Sequence, residues 1–258
     1  MKTILLEKTD GIATVTLNRP EKFNSVNQNL ALQFQGYLDD CNSDDEIRCI
    51  VITGNGRAFC AGQDLEEIVD PNGPPMDSIV REHFNPIVER IRSIPKPIVA
   101  AVNGVAAGAG ANIALACDIV IAMESATFIQ AFSKIGLIPD SGGTYFLPRL
   151  IGWQKASAIM MLGDKITARK AEDMGMIYKA VPDEVFNTSV NQIAGKLSKM
   201  PTKGLAYTKE ALNQSFQNSF LQQLKVEEDL QNKAGNTEDY GEGVNAFLEK
   251  RKPIFKGK

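Results

Sequence analysis

Ile98-Val99-Ala100-Ala101-Val102-Asn103-Gly104-Val105-Ala106-Ala107-Gly108-Ala109-Gly110-Ala111-Asn112-Ile113-Ala114-Leu115-Ala116-Cys117-Asp118-Ile119-Val120-Ile121-Ala122 is the stretch whose reading decides the fold. Ile98–Val102 is a short, wholly apolar run rich in β-branched residues, the pattern of a strand buried on both faces. Pro95 and Pro97 close the helix expected ahead of it. Glycine and alanine crowd residues 104–110, Ile113–Ala116 suggests a short, tightly packed helix, and Ile119–Ala122 is another buried run. Strand, glycine-rich turn, helix and strand form a βαβ signature, so the chain is of the α/β class.

The pattern extends upstream. Arg48–Thr53 is a third buried run, ending in the loop signal Gly54-Asn55-Gly56. Leu30, Phe34, Tyr37 and Leu38 recur at helical spacing within Gln28–Cys41. Thr3–Glu7 and Ile12–Leu17 flank Asp10-Gly11, a hairpin turn signal. Downstream, Asp70–Pro75 reads as a loop, and beyond Gly142 helical signals dominate, with only Met176–Val181 strand-like. An α/β body followed by a largely helical C-terminal part is expected.

Composition bounds the function. The chain has 258 residues, 43% hydrophobic and 23% charged, as an ordinary globular domain has. With 28 Lys+Arg against 31 Asp+Glu, it lacks the basic excess of a protein that grips nucleic-acid phosphates. No apolar run approaches the roughly 20 residues of a membrane span. Glu7, Lys8 and Asp10 interrupt any leader-like apolar region, so a cytoplasmic location is expected. Cys41, Cys49, Cys60 and Cys117 show no C-x-x-C spacing, and His83 stands alone, so neither a metal site nor a Ser-His-Asp triad is expected. Lys250, Arg251, Lys252, Lys256 and Lys258 crowd the tail, which reads either as a solvated end or as a site for a phosphorylated ligand.

Three segments carry chemistry. Gly108-Ala109-Gly110 invites a dinucleotide fingerprint, but Ile113 occupies the third glycine position. Small residues where a strand feeds a helix instead leave backbone N–H groups open to a developing negative oxygen. Phe59-Cys60-Ala61-Gly62-Gln63-Asp64-Leu65 is a second turn of that kind. Gly136-Leu137-Ile138-Pro139-Asp140-Ser141-Gly142-Gly143-Thr144 is the third, where Asp140 suits either a helix N-cap or a catalytic acid.

In that order, together with Asn18-Arg19-Pro20, Asn24-Ser25 and Gly175-Met176-Ile177, these segments resemble the crotonase (enoyl-CoA hydratase/isomerase) superfamily over essentially the whole chain. The resemblance implies the crotonase (ClpP-like) fold, in which repeated ββα units form a spiral core, over residues 1–195. Residues 196–258 would form a helical region for trimerisation and for covering CoA. It also implies an acyl-CoA thioester substrate, no cofactor and no metal, and a trimer or dimer of trimers without nucleic-acid or membrane partners. By motif position the thioester carbonyl would lie between the N–H groups of Ala61 and Ala109, with Gly62, Gln63, Asp64, Leu65, Asn112 and Phe132 around the substrate. Lys250 and Phe255 would reach the nucleotide end of CoA, often from an adjacent subunit.

Departures from the family pattern sharpen the expectation. The two glutamates by which its hydratases add water fall on Asn112 and Phe132, which do no carboxylate chemistry. Asp140 remains, where the family's isomerases carry an aspartate, and one carboxylate that moves a proton between carbons suits isomerisation. Phe132, Ile138 and Tyr145 would bury it and raise its pKa. Residues 59–65, 69–74, 102–111 and 131–140 are most similar to the family's isomerases of epoxidised aromatic rings carried as CoA thioesters. Phe128 and Phe132 would suit a ring, or serve only as core. A linear enoyl-CoA isomerase and a silent thioester-binding paralogue are the alternatives.

Overall fold

Asp10 and Gly11 take φ of 51° and 75°, the left-handed pair that a two-residue hairpin demands. They join β1 (Ile4–Thr9) to β2 (Ile12–Leu17) as antiparallel partners. The computed structural model describes residues 2–258. The remaining strands are β3 (Cys49–Gly54), β4 (Ala58–Cys60), β5 (Ile98–Val102), β6 (Val105–Ala107), β7 (Ile119–Met123), β8 (Thr127–Ile129), β9 (Lys165–Thr167) and β10 (Lys179–Val181). The helices of the first half are α1 (Gln28–Ser43), α2 (Leu65–Val69), α3 (Met76–Ser78), which runs through a π-helical turn (Ile79–Phe84) into α4 (Asn85–Ser93), and α5 (Ala109–Ala116). Those of the second half are α6 (Gly143–Ile151), α7 (Trp153–Leu162), α8 (Ala168–Asp173), α9 (Phe186–Leu197), α10 (Thr202–Ser215), α11 (Phe220–Gly235) and α12 (Glu238–Leu248).

The strands form two sheets. The larger has the order β1-β2-β3-β5-β7-β10 and is parallel beyond the hairpin; the smaller has the order β4-β6-β8-β9, with only β9 antiparallel. Three times, at β3–β4, β5–β6 and β7–β8, the chain lays one strand in the large sheet and the next in the small one. Two of these pairs run directly on into helices, α2 and α5. This is the expected crotonase spiral. The glycine-rich run is accordingly not a plain βαβ turn, because it contains β6.

Both faces of the large sheet are covered, which explains the unbroken apolar strands. In β3, Ile50 and Ile52 enter the core packed by α1, α4 and α5, while Cys49 and Val51 face Phe186, Val190 and Ala194 of α9. Glycine sets one decisive distance: a Cβ on Gly110 would overlap the Cys60 carbonyl oxygen. Only glycine there lets α5 seat directly on β4. Among the described residues no helix is long and apolar enough to cross a membrane.

Candidate active site

The loop after β2 fixes the first half of the site. Asn24 tolerates a left-handed φ of 56°; its Oδ1 accepts from the Arg19 N–H and its Nδ2 donates to the carbonyls of Asn55 and Ala58. The loop then straps residues 61–64. The Ala61 N–H donates to the Phe23 carbonyl at 3.0 Å, the Val26 N–H to the Gly62 carbonyl at 2.7 Å, and the Asp64 N–H to the Val26 carbonyl at 2.9 Å. Ala61 therefore cannot be the expected donor, since its N–H is already spent. A trans peptide points its C=O and N–H in opposite directions. With the Gly62 carbonyl turned toward Val26, the Gln63 N–H of the same peptide points away from the strap, and Gln63 lines the cavity.

The second half is built by α5. The Gly108 carbonyl accepts from the Asn112 N–H at 3.2 Å, so the Ala109 N–H of that peptide points out of the helix start. Gly108 holds φ 52° and ψ −128°, a conformation open essentially to glycine. Gly62, at φ +88°, lies between the two amides: a Cβ there would sit 2.9 Å from the Ala107 carbonyl oxygen and 3.3 Å from the Ala109 nitrogen. The Gln63 and Ala109 peptides thus border one cavity, on either side of Gly62 and beside the positive end of a helix.

That cavity, of about 420 Å³, is lined by Ala61, Gly62, Gln63, Asp64, Leu65, Gly108, Ala109, Phe132 and Asp140, as the sequence suggested. Ile68, Met76, Ile79, Phe84 and Leu137 complete a largely apolar wall that the sequence did not single out. The π-helical turn places Ile79 and Phe84 on it, a facing that only tertiary packing decides. Phe128 does not line the cavity and is simply core, 1% exposed. The Cys60 thiol beneath the site is pushed up to about 12 by burial, so it holds no thiolate at neutral pH.

The acidic groups in the wall differ in kind. Asp64 is ion-paired to Arg19 at 2.8 Å and caps α2 by accepting from the Glu66 N–H. Glu66 is exposed and paired with Lys22. Asp140 has no ion pair among the described residues; its Oδ1 accepts from the Ser141 hydroxyl at 2.9 Å. Burial raises its pKa above the ordinary 3.8, against the opposing pull of that hydrogen bond. The N-cap alternative fails, because α6 begins at Gly143 behind Gly142 and takes no side-chain cap. Ile138 is 80% exposed and Tyr145 packs edge-on against Phe146 and Phe216, so neither supplies the expected burial; Phe132 and Leu137 share the cavity with Asp140.

Three expected contacts are not made within the chain. Asn112 is fully buried behind the wall, where its Nδ2 donates to the Asp140 carbonyl at 2.8 Å and its Oδ1 accepts from Gln130 Nε2 at 2.7 Å. It does not line the cavity. Phe255 packs against Gly243 and lines a separate hollow between α10, α11 and α12. Lys250 lines neither.

The family model for enoyl-CoA hydratase/isomerase matches residues 7–258. The chain is 48% identical to the 1,2-epoxyphenylacetyl-CoA isomerase of Escherichia coli (strain K12), covering 100% of each chain. It is 36% identical to the trans-2-decenoyl-[acyl-carrier-protein] isomerase of Streptococcus mutans, over 100% of this chain and 99% of that one. A crystal structure of enoyl-CoA hydratase from Bacillus anthracis superposes with a TM-score of 0.92 at 32% identity, covering 99% of this chain and 100% of that one. By the spiral of paired strands, the opposed amides and the full-length match alike, this chain belongs to the enoyl-CoA hydratase/isomerase family, enzymes of acyl-CoA thioesters.

Proposed function

We propose that the protein is a cofactor-independent acyl-CoA isomerase, and that its substrate is the ring-1,2-epoxide of phenylacetyl-CoA, which it converts to the oxepin. The observation that carries this reading is Asp140, a half-buried carboxylate without an ion pair among the described residues, lining the same cavity as Gln63 and Ala109. The two amides bind the thioester carbonyl and hold the negative charge that forms when a proton leaves the neighbouring carbon. Asp140, with its raised pKa, accepts that proton and returns it to another atom of the acyl group. The apolar wall around Phe132 accommodates the ring and keeps water out. Hydration is disfavoured because Asn112 is withdrawn from the cavity and Phe132 carries no proton. The same site would shift the double bond of a dehydroadipyl-type thioester.

The S. mutans relative, an isomerase of a linear acyl group, favours one second reading: a Δ3,Δ2-enoyl isomerase. Purified protein is incubated with the epoxide thioester, 3-hexenoyl-CoA and crotonyl-CoA, and products are identified by mass and ultraviolet spectrum. Turnover of the epoxide, lost in Asp140→Asn, supports the proposal. Turnover of 3-hexenoyl-CoA alone supports the second reading, and rapid hydration of crotonyl-CoA overturns both. An Asp140→Asn variant that binds thioester like a parent lacking all turnover marks a silent binding protein.

The proposed working form is a trimer or a pair of trimers. Lys250 and Phe255 lie away from this chain's own cavity, while Phe220, Leu221, Phe247 and Leu248 are each more than 70% exposed on α11 and α12. Residues 196–258 would bury these against a neighbour and offer the tail to its CoA. Sedimentation of the purified chain tests this directly, and a monomer at micromolar concentration refutes it.

A further inference from the structure

Asn112 and Gln130 form a buried polar pair that the chemistry above does not use. Both side chains are essentially inaccessible, at 0% and 1% exposed. The polarity of the pair is forced. The Asp140 carbonyl can only accept, so Asn112 must present its amide N–H there, at 2.8 Å. That leaves Asn112 Oδ1 to accept from Gln130 Nε2 at 2.7 Å. Gln130 Oε1 is then buried without a partner. An apolar pair of similar size would avoid that unsatisfied acceptor.

The carbonyl held in this way belongs to the residue whose carboxyl faces the cavity. Immediately after it the backbone is unusual: Ser141 takes φ of 51°, a conformation that a non-glycine residue keeps only when its surroundings hold it, and Gly142 continues the turn at 76°, which glycine adopts freely. The Asp140 carbonyl also accepts from the Gly143 N–H at 2.8 Å, so it is gripped from both α5 and the start of α6. Gly143 makes room for this grip, because a Cβ there would overlap the Asn112 amide.

We propose that Asn112, oriented by Gln130, is a positioning residue that fixes the main chain of Asp140 and thereby aims its carboxyl at the bound acyl group. The proposal rests on the assignment of Asp140 as the proton carrier. Asn112 touches no substrate and moves no proton. The charged residues lining the same cavity are Lys134, Asp64 and Glu66, and the two acids have cationic partners of their own.

The test compares Asn112→Ala, the milder Asn112→Ser, Gly143→Ala and the double variant Asn112→Ala/Gly143→Ala with the parent. Two readouts are used: steady-state turnover of the epoxide thioester and of 3-hexenoyl-CoA, and the ¹³C titration of the Asp140 carboxyl in ligand-free protein, assigned by its loss in Asp140→Asn. Each single change is expected to lower kcat by about 100-fold, the scale of an ångström-sized misplacement, while KM holds. The carboxyl, freed to reach water, should titrate at lower pH than in the parent. In the double variant Gly143→Ala should add nothing, since the amide it displaces is gone.

A parental titration midpoint and kcat in Asn112→Ala or Asn112→Ser overturn the proposal. So does a fall in thermal stability with the midpoint unmoved, which is the mark of a merely structural amide. If Asp140→Asn itself retains full turnover, the assignment of Asp140 fails; if Asp140→Asn is inactive while the Asn112 variants are intact, only the positioning role fails.

Discussion

Gly62→Ala isolates the opposed-amide arrangement from every side chain. At φ +88° an L residue bears a backbone strain of about 1–2 kcal/mol. The new methyl carbon would stand 2.9 Å from the Ala107 carbonyl oxygen and 3.3 Å from the Ala109 nitrogen. Both are main-chain atoms of the α5 entry and cannot swing aside, so the strap at residues 61–64 or the start of α5 must yield. Either movement separates the Gln63 and Ala109 N–H groups. Losing one such donor costs about 100- to 1,000-fold in kcat, or roughly 2.7–4 kcal/mol. The melting temperature should fall by about 2–4 °C for each kcal/mol of strain. Steady-state kinetics on the thioester substrate and a thermal melt give both numbers. Infrared difference spectra of a bound, unreactive thioester report how strongly its carbonyl is polarised. Gln63→Ala, which keeps the peptide N–H, is the control and should retain most of kcat. Parental kcat in Gly62→Ala, or an equal loss in Gln63→Ala, would refute the reasoning.

Four further outcomes follow from the charges and thiols. Asp140 has a raised folded pKa, so the folded state binds more protons than the unfolded one between 3.8 and that raised value, and stability falls as pH rises through this window. Asp140→Asn should therefore melt higher than the parent at pH 7, with the gain vanishing at acid pH, while turnover drops by about 100- to 10,000-fold; an unchanged or lower melting temperature at pH 7 contradicts the assigned burial. In the parent, kcat/KM should decline with acidification through the same raised pKa, and a limb at or below the ordinary carboxylate value would argue against Asp140 as the base. Breaking the Arg19–Asp64 pair with Asp64→Asn leaves the largely covered Arg19 guanidinium with the Ser25 carbonyl but no counter-charge and should destabilise the fold by about 3 kcal/mol in chemical denaturation, whereas a change under 1 kcal/mol would show the pair to be solvated. All four cysteines are buried, and the Cys60 thiol at about 12 should leave the native enzyme insensitive to iodoacetamide; rapid inactivation would disprove that.

Much of the architecture was legible because strands covered on both faces need no alternation: 48–53 and 98–102 announce themselves by apolar content, and Asp10-Gly11 by turn chemistry. What stayed hidden depended on partners. Val105–Ala107 is too short and too close to glycines to read as a strand, and Lys165-Ile166-Thr167 is mostly polar; the first is a strand because β4 and β8 flank it, the second because β8 pairs with it. At the site, motif position was enough to bring Ala109 and Asp140 to the cavity, but not to tell which amide of the 61–64 turn is free. Whether Ala61 or Gln63 has a free N–H is decided by Phe23 and Val26, almost forty residues upstream. Asn112 likewise looked like a substrate contact until its two buried hydrogen bonds were seen. Phe255 was read as a CoA contact, and within this chain it packs on Gly243 instead.

If both donors are main-chain, as proposed, the usual map of mutational tolerance is inverted. Residues 63 and 109 would then contribute only their amides to the chemistry, and what constrains their side chains is packing: Ala109 lies in the core and Gln63 is held by Glu67. The sensitive positions are the glycines at 62, 108 and 110, which matter for the backbone they permit and not for any reacting group. A saturation library selected for turnover should thus deplete these residues, which carry no functional group at all, alongside Asp140.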